Sequence, residues 1–402
     1  MDCAISTTGP RTQEDRTRDG RRDAGPHVAL LASAAEWGTA RLRAEWDDVL
    51  GTGAGRLALL QSPEWFDHLV ATEPAAQPAL ACVRDERSRL VGVVPLVRTR
   101  LDLDYFVKGV RLGKSSLSVL EIPGGAPPLP EDATVYDRLF ERLHQAARGH
   151  DGLYLRFLPT SSFCWRYLHE SPLVRAGFSL VLPEGLICNH GIELPPTFEE
   201  YLAHFKSRTR YNLRQRVKQL REHGGGELSL RRFEAPEEVP AFLESAAPVA
   251  RRSWQARCSD DRVDTTPFWH RKLTDLAERG LLRAYVLTAG SDPCAFVFGY
   301  QGRETFHHVQ TGYDPAFAEY SPGAVLHYLL FEDLIRHRFP RRVSFGYGDS
   351  EYKRTFGTVQ FEEAPVLLVN RRWTSLGKVR SYTAFRSLVR IAKTWRRRGS
   401  SG

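Results

Sequence analysis

Apolar residues recur at intervals of three and four along several stretches of the chain, the spacing of helices that bury one face. The clearest stretch contains Val325, Leu326, Leu329, Leu330, Leu334 and Ile335. Just before it, Ser321 can cap a helix with its hydroxyl, Pro322 suits the first helical position, and Gly323 permits close approach to the backbone. The pattern predicts a helix from Pro322 whose N-terminus can bind an anion.

The same periodicities predict an alternation of helices and short strands elsewhere. The predicted helices span residues 34–50, 63–70, 136–147, 206–221, 236–254 and 267–279. The predicted strands span residues 79–84, 90–97, 117–122, 152–158, 228–233, 282–288, 294–300, 305–311 and 343–347. The hairpin at 79–97 has the spacing of the hairpin at 284–300, which indicates a weak internal duplication. A chain of 402 residues also exceeds what one core usually covers, so two domains are expected.

The last predicted strand leads into a polar loop, residues 348–357, with the sequence Gly-Asp-Ser-Glu-Tyr-Lys-Arg-Thr-Phe-Gly. It brings carboxylates, a phenol and an amine side by side, at Asp349, Glu351, Tyr352 and Lys353. Such groups can move protons and stabilise developing charge. We therefore expect the chemistry at this loop.

The net charge of +8 is concentrated in two segments. From Arg371 onward there are ten Lys or Arg and no Asp or Glu, and residues 1–370 carry 46 basic and 48 acidic residues, a net charge of −2. Inside that nearly neutral body, residues 206–221 hold seven basic residues and no acidic one. Two basic segments on a neutral body favour local anionic contacts over general nucleic-acid binding.

The six cysteines lie far apart without CxxC or CxxH spacing, which indicates neither a metal site nor a disulfide framework. The first 26 residues are polar and charged, unlike a secretory signal. No apolar stretch approaches the roughly 18–20 residues of a membrane span. The expected location is cytoplasmic, or peripheral at the inner face of a membrane.

Four motifs resemble the GNAT acyltransferase superfamily, and more narrowly the double-GNAT proteins of the FemAB and CelD type with a BioF2-like acetyltransferase domain. The motifs are Ser62-Pro63-Glu64-Trp65, the basic segment 207–214, Tyr320-Ser321-Pro322-Gly323, and Tyr352-Lys353-Arg354-Thr355-Phe356-Gly357. The resemblance runs from about residue 63 to residue 370.

The resemblance implies an α/β (α+β) fold of two GNAT-like domains, each a mixed, mostly antiparallel sheet flanked by helices. The domain limits follow from it and from composition. We expect a disordered N-terminal tail at 1–30, an N-terminal GNAT-like domain at 31–190, a C-terminal GNAT domain at 191–372, and a basic amphipathic tail at 373–402.

The resemblance also implies a reaction, N-acetyl transfer from acetyl-CoA to an amine or hydroxyl of a sugar, a polysaccharide precursor or another small polar acceptor. The candidate catalytic residues are Lys353, Tyr352, Asp349, His308 and Glu351. The candidates for binding acetyl-CoA are Ser321, Gly323, Ala324 and Gln310, and those for binding the acceptor are Arg208, Arg210, Arg214 and Tyr313. No metal is expected.

The donor stays open, because residues 318–324 do not fit the Arg/Gln-x-x-Gly-x-Gly/Ala pattern of typical acetyl-CoA-binding members. An aminoacyl-tRNA donor, as used by the FemAB branch, is one alternative, with segment 206–221 as the contact. A non-catalytic accessory protein of envelope or exopolysaccharide biosynthesis is another.

The tail has apolar residues at helical spacing opposite Arg380, Arg386, Arg390, Lys393 and Arg397. Such a basic amphipathic helix can lie on an anionic membrane. It can equally dock on the body of the protein, and the sequence does not decide between the two.

Overall fold

The structure is a computed structural model that describes residues 25–53, 58–73, 75, 77–107, 110–253, 262–337, 340–346 and 348–399. The predicted N-terminal tail lies outside the described residues as far as residue 24. Its last residues differ from the prediction, because His27–Leu31 is a strand paired with Ala79–Arg84.

The strands of the described residues form one sheet. They are β1 (His27–Leu31), β2 (Ala79–Arg84), β3 (Leu90–Val107), β4 (Val110–Ile122), β5 (Gly152–Pro159), β6 (Phe178–Val181), β7 (Ile187–Glu193), β8 (Leu228–Phe233), β9 (Leu282–Ala289), β10 (Asp292–Gly302), β11 (Thr305–Tyr313), β12 (Arg342–Ser344) and β13 (Val359–Asn370).

The helices flank this sheet. They are α1 (Ala34–Trp37), α2 (Ala40–Gly53), α3 (Pro63–Thr72), α4 (Ala133–Ala146), α5 (Phe163–Glu170), α6 (Pro172–Gly177), α7 (Phe198–Ala203), α8 (Ser207–His223), α9 (Val239–Arg252), α10 (Pro267–Glu278), α11 (Pro322–His337), α12 (Glu351–Phe356) and α13 (Trp373–Gly399). The predicted start of α11 at Pro322 is confirmed.

The strand order reveals two similar halves that exchange a strand. The order is β1-β2-β3-β4-β5-β13-β7-β12-β11-β10-β9-β8, so β1 to β5 run inward from one edge as β8 to β12 run inward from the other. At the centre, β13 follows β12 in the chain but pairs with β5, and β7 follows β5 and β6 in the chain but pairs with β12. The two halves are therefore joined through main-chain hydrogen bonds.

Several predicted elements differ in extent from the observed ones. Strand β3 continues to Val107 and β4 starts at Val110, which gives a long hairpin where two short strands were expected. Part of the predicted polar loop is the helix α12, and β12 ends at Ser344. Tyr347, in the predicted last strand, lies outside the described residues.

The hydrophobic cores follow the helices. One core lies between the sheet and α7, α8, α11 and α12, and a second lies between the sheet and α4, α5 and α6. A third includes α9 and α10. Helix α13 covers a fourth cluster on β3, β4, β5 and β13 with Val379 and Tyr382.

Candidate functional site

A half-open cavity of about 590 Å³ lies in the C-terminal half. Its walls are one face of α8, the end of β11, the first turn of α11, and α12 with the residue before it. The lining residues are Thr209, Asn212, Leu213, Arg216, Thr311, Gly312, Tyr313, Ala318, Ser321, Pro322, Gly323, Ala324, His327, Ser350, Glu351, Tyr352, Thr355 and Phe356.

The first turn of α11 forms one wall. Ser321 has a left-handed backbone, with φ of 53°, and its carbonyl accepts hydrogen bonds from the backbone N–H groups of Ala324 and Val325. A Cβ atom at Gly323 would lie 3.6 Å from the Tyr313 ring, an ordinary contact. The predicted donor-binding residues Ser321, Gly323 and Ala324 and the predicted acceptor-binding residue Tyr313 all line the cavity.

The basic helix α8 turns a different face to the cavity than the sequence suggested. Thr209, Asn212, Leu213 and Arg216 line it at helical spacing. The predicted Arg208 and Arg214 are exposed and are not lining residues. Choosing a face needs the position of the sheet, so the basic run alone could not single out Arg216.

Arg210, the third predicted arginine, is held by the backbone before α8. Its guanidinium donates to the Phe205 carbonyl at 2.8 Å and to the Ser207 hydroxyl at 3.3 Å. It therefore helps to fix the junction between α7 and α8.

Two histidines form a buried pair at the base of the cavity. His327 of α11 lines the cavity, and its Nδ1 lies 2.7 Å from the Gly323 carbonyl, which can only accept, so Nδ1 carries the proton. Its Nε2 lies 3.2 Å from Nε2 of His308 on β11. Burial lowers the pKa of His327 to about 4 and holds that of His308 well below its usual value, so both rings are neutral at pH 7.

The proton positions show which histidine of the pair donates the hydrogen bond and which accepts it. Because Nε2 of neutral His327 has a lone pair, Nε2 of His308 must donate to it. His308 was predicted as a base, but the residues that line the cavity do not include it, and its Nε2 proton is committed to His327. His308 is thus placed to orient His327.

Helix α12 supplies Glu351 and Tyr352 to the cavity wall. The Tyr352 ring lies 5.0 Å from the His327 ring and 5.9 Å from the His308 ring. Burial raises the pKa of Tyr352, so its hydroxyl stays protonated at neutral pH.

Lys353 is on the inner side of α12 and is buried. Its Nζ lies 3.5 Å from the carbonyl of Gly346, beyond the end of β12. Burial lowers its pKa to about 8, and the Asp349 carboxylate opposes this shift. The prediction placed Lys353 beside Tyr352 in a loop, whereas the helix directs it towards the sheet.

Asp349 is held between two basic side chains. Its carboxylate lies 2.9 Å from Nε2 of His190 and accepts from Arg354 at 2.6 Å. Next to it, the Gly348 N–H donates to the Asn189 side chain at 3.1 Å. His190 and Asn189 belong to β7, over 150 residues earlier, and no local pattern could connect them to this segment.

Gln310, the remaining predicted residue, lies on β11 away from the cavity walls. Its side-chain oxygen accepts from the backbone N–H of Val263 at 2.8 Å. It is not among the residues that line the cavity.

Among the described residues, no group of three or more His, Cys, Asp or Glu side chains is arranged to hold a metal ion. Cys82, Cys164, Cys188 and Cys294 are free thiols, and Cys3 and Cys258 lie outside the described part of the chain. No helix in the part of the chain that the structure describes is long and apolar enough to cross a membrane.

Residues 207–354 match the family model of the acetyltransferase (GNAT) domain. The match begins at the first residue of α8 and ends within α12, so it includes the elements that form the cavity. The predicted resemblance to the GNAT superfamily is confirmed. The match supports an acyltransferase without identifying the acyl donor or the acceptor. No curated protein matches the sequence significantly.

Solved structures resemble this chain over most of its length. A crystal structure of FemX has a TM-score of 0.59 at 11% identity, with 84% of this chain and 98% of that chain covered. A conserved protein of unknown function from Bacteroides thetaiotaomicron has a TM-score of 0.50 at 14% identity, with 81% and 97% covered. At these identities the likeness concerns the fold, and the predicted two-domain GNAT fold is confirmed.

Proposed function

We propose that the cavity binds an acyl-CoA, most simply acetyl-CoA, and that the protein transfers the acyl group to an amine. The observation that supports this proposal is the position of the cavity, which opens at the N-terminus of α11 inside the segment matched by the GNAT family model. The acceptor class, an amino sugar or a polysaccharide precursor, is proposed from the family resemblance.

The cavity walls suit an anionic, phosphate-bearing ligand. The N-terminus of the 16-residue helix α11 faces the cavity, and an exposed helix start attracts anions through its dipole and its N–H groups. Arg216 adds a guanidinium across the cavity. Gly323 leaves room beside the helix start, so the residues present fit such a ligand although the usual glycine pattern is absent.

Two residues on α12 suit acyl transfer. A bound acyl-CoA would supply the thioester, and the amine would form a C–N bond to its carbonyl carbon as the C–S bond breaks. We assign Glu351, an exposed carboxylate on the cavity wall, to accept the proton of the amine. Tyr352, whose hydroxyl stays protonated, is assigned to return a proton to the departing thiolate.

The first test is calorimetric titration of the purified protein with acetyl-CoA and with free CoA. We expect saturable micromolar binding of both. Arg216→Ala should weaken binding about tenfold, the usual loss for a hydrogen bond to a charged group. Arg214→Ala, two residues away but not on the cavity wall, is the matched control and should bind as the wild type does.

The outcome also decides between functions. Folded protein that binds neither ligand would contradict the acyl-CoA proposal and favour an aminoacyl-tRNA donor or an accessory role. Binding followed by CoA release, detected with a thiol reagent in the presence of amino sugars, would establish the transfer reaction and identify the acceptor.

A second candidate function uses aminoacyl-tRNA as the donor. It is favoured by the outer face of α8, where Arg208, Arg214 and Tyr211 are exposed. Charged tRNA should then bind with an affinity that falls steeply with salt, as phosphate contacts require. Under this function Arg214→Ala weakens binding, and the effects of the two arginine substitutions are reversed.

A further inference from the structure

The first half of helix α13 packs against the body of the protein. Ser375, Val379 and Tyr382 are buried against the sheet, and the Ser375 hydroxyl donates to the Asp151 carboxylate at 2.6 Å. Tyr382 and Phe385 pack on Tyr105 of the β3–β4 hairpin, with ring centres 5.8 and 5.0 Å apart. The first half of α13 is thus part of a hydrophobic core in the N-terminal half of the protein.

Beyond the docked half of α13, the apolar and the basic residues of the sequence exchange sides of the helix. The buried positions 375, 379 and 382 continue at helical spacing as Arg386, Arg390, Lys393 and Arg397. A new apolar series, Leu388, Ile391, Ala392 and Trp395, begins at the same spacing on the opposite side. Leu388 is 66% exposed and Ile391 is 51% exposed. At helical spacing the sequence therefore continues the docking face with basic residues, and the exposed Leu388 and Ile391 fall on the opposite side.

Other exposed apolar residues lie near this distal half. The β3–β4 hairpin, which contacts Phe385 through Tyr105, exposes Phe106, Val110 and Leu112 around its turn. The acidic residues of the hairpin are paired, Asp102 with Lys114 at 2.6 Å and Asp104 with Arg111 at 3.6 Å. Their negative charge is thereby offset locally.

Another exposed apolar residue follows β6. The Arg386 guanidinium donates to the Pro183 carbonyl at 3.0 Å, and three residues later Leu186 is exposed. Three separate segments, the hairpin turn, the stretch after β6 and distal α13, therefore present apolar side chains at one end of the molecule.

We propose that this end, comprising residues 386–399 of α13 and the tip of the β3–β4 hairpin, docks on an anionic lipid membrane. The charge pattern favours lipid over a second copy of the chain, because residues 386–398 hold six basic residues and no acidic one, whereas residues 1–370 of a second copy carry a net charge of only −2. A basic amphipathic helix lies in the interface with its apolar side among the acyl chains and its cations at the anionic headgroups. This proposal is independent of the acyl-transfer proposal.

The experiment is co-sedimentation of the full-length protein with vesicles of phosphatidylcholine, with and without phosphatidylglycerol. We expect binding to the anionic vesicles that weakens as salt is added. The double substitution Leu388→Asp and Ile391→Asp should weaken binding at least about tenfold, since each buried aliphatic side chain contributes on this scale. Phe268→Asp, at an exposed site on α10, is the matched control and should have no effect.

Reversing the charges at Arg390 and Lys393 to Glu should weaken binding about fivefold for each residue. Deleting the whole helix is a poor test, because it would also expose the core that Val379 and Tyr382 cover. Calorimetric binding of acetyl-CoA should be unchanged in the point variants, which separates loss of membrane binding from loss of folding.

Three results would overturn the proposal. The first is equal binding to neutral and anionic vesicles, and the second is no binding to either at low salt. The third is a concentration-dependent dimer, seen by light scattering, that Leu388→Asp dissociates, because the occupant of the apolar side would then be a second copy of the chain.

Discussion

The two halves of the molecule contain the same crossover but differ at the start of its helix, which lines the cavity of about 590 Å³ in the C-terminal half and is closed by its own residues in the N-terminal half. In the N-terminal half, β4 runs through α4 to the parallel strand β5, and in the C-terminal half β11 runs through α11 to the parallel strand β12. Both place a helix start beside a strand end, where ligands commonly bind in such folds. Topology alone would therefore predict two sites.

The N-terminal crossover is closed by its own residues. The Gln61 side chain donates to the carbonyls of Pro123 and Ala126 at 3.0 and 2.9 Å, and Gly125 is packed against the backbone of Phe157. The start of α4 is capped by Asp132, whose carboxylate accepts from Thr134 N–H and takes the place of an anion. The corresponding start of α11 has Ser321 and no carboxylate.

The difference shows that the repeated topology places a possible ligand site at each helix start. Side chains and loop packing then decide which of the two helix starts stays accessible to a ligand. The following predictions test this contrast and the cavity beside the open crossover, from the largest expected effect to the smallest.

The largest difference is expected between Gly125→Ala and Gly323→Ala. At Gly125 the backbone is left-handed and a Cβ atom would lie 2.3 Å from the Phe157 carbonyl oxygen, so we expect a loss of about 2–4 kcal/mol in the free energy of unfolding. At Gly323 a Cβ atom fits, and stability should change by less than about 1 kcal/mol. Urea titrations of the two variants would measure this, and equal losses would refute the contrast.

Lys353→Met should stabilise the protein at neutral pH. The folded-state pKa of Lys353 is about 8 instead of 10.5, so at neutral pH the buried ammonium costs on the order of 3 kcal/mol. Between pH 8 and 10.5 the unfolded chain holds a proton that the folded chain has lost, so wild-type stability should rise with pH there. The variant should lack this rise in melting temperature.

The matched control for that experiment is Arg354→Met, which removes an exposed cation from the same helix. It should change stability by less than about 1 kcal/mol. Lys353→Met protein that is no more stable than the wild type at neutral pH would contradict the prediction.

His327→Phe should make the protein less sensitive to acid. His327 has a folded-state pKa of about 4 against the usual 6.5, so unfolding takes up a proton between these values and wild-type stability falls as the pH is lowered through that window. Over this pH range the free energy of unfolding of the variant should fall by roughly 2–3 kcal/mol less than that of the wild type. His337→Phe, at an exposed position on the same helix, should retain the wild-type pH dependence of denaturant unfolding.

Gln61→Ala should loosen the closed crossover without affecting the open one. One buried and one half-buried carbonyl lose their donor, which should lower the free energy of unfolding by about 1–3 kcal/mol. Gln145→Ala, at an exposed position on α4, serves as the control. Binding of acetyl-CoA should be the same in all three proteins, and weaker binding in Gln61→Ala would mean that the N-terminal crossover contributes to the site.

Features set by local chemistry could be predicted from the sequence. The start of α11 at Pro322, the capping of α3 by Ser62 and the helix α8 follow from periodicity and from residues that satisfy free N–H groups nearby. Most of the residues predicted to bind the donor also line the cavity, because they belong to that helix start.

Features that depend on distant segments were decided only by the tertiary structure. The face of α8 that carries Arg216, the pairing of His308 with His327, the contact of His190 with Asp349 and the exchange of β7 and β13 each join residues far apart in the chain. The tail illustrates both levels. The sequence determined that α13 is amphipathic and basic, whereas the position of the sheet determined that its apolar first half is buried and that Leu388 and Ile391 are exposed, because burial depends on which surface lies opposite each turn of the helix.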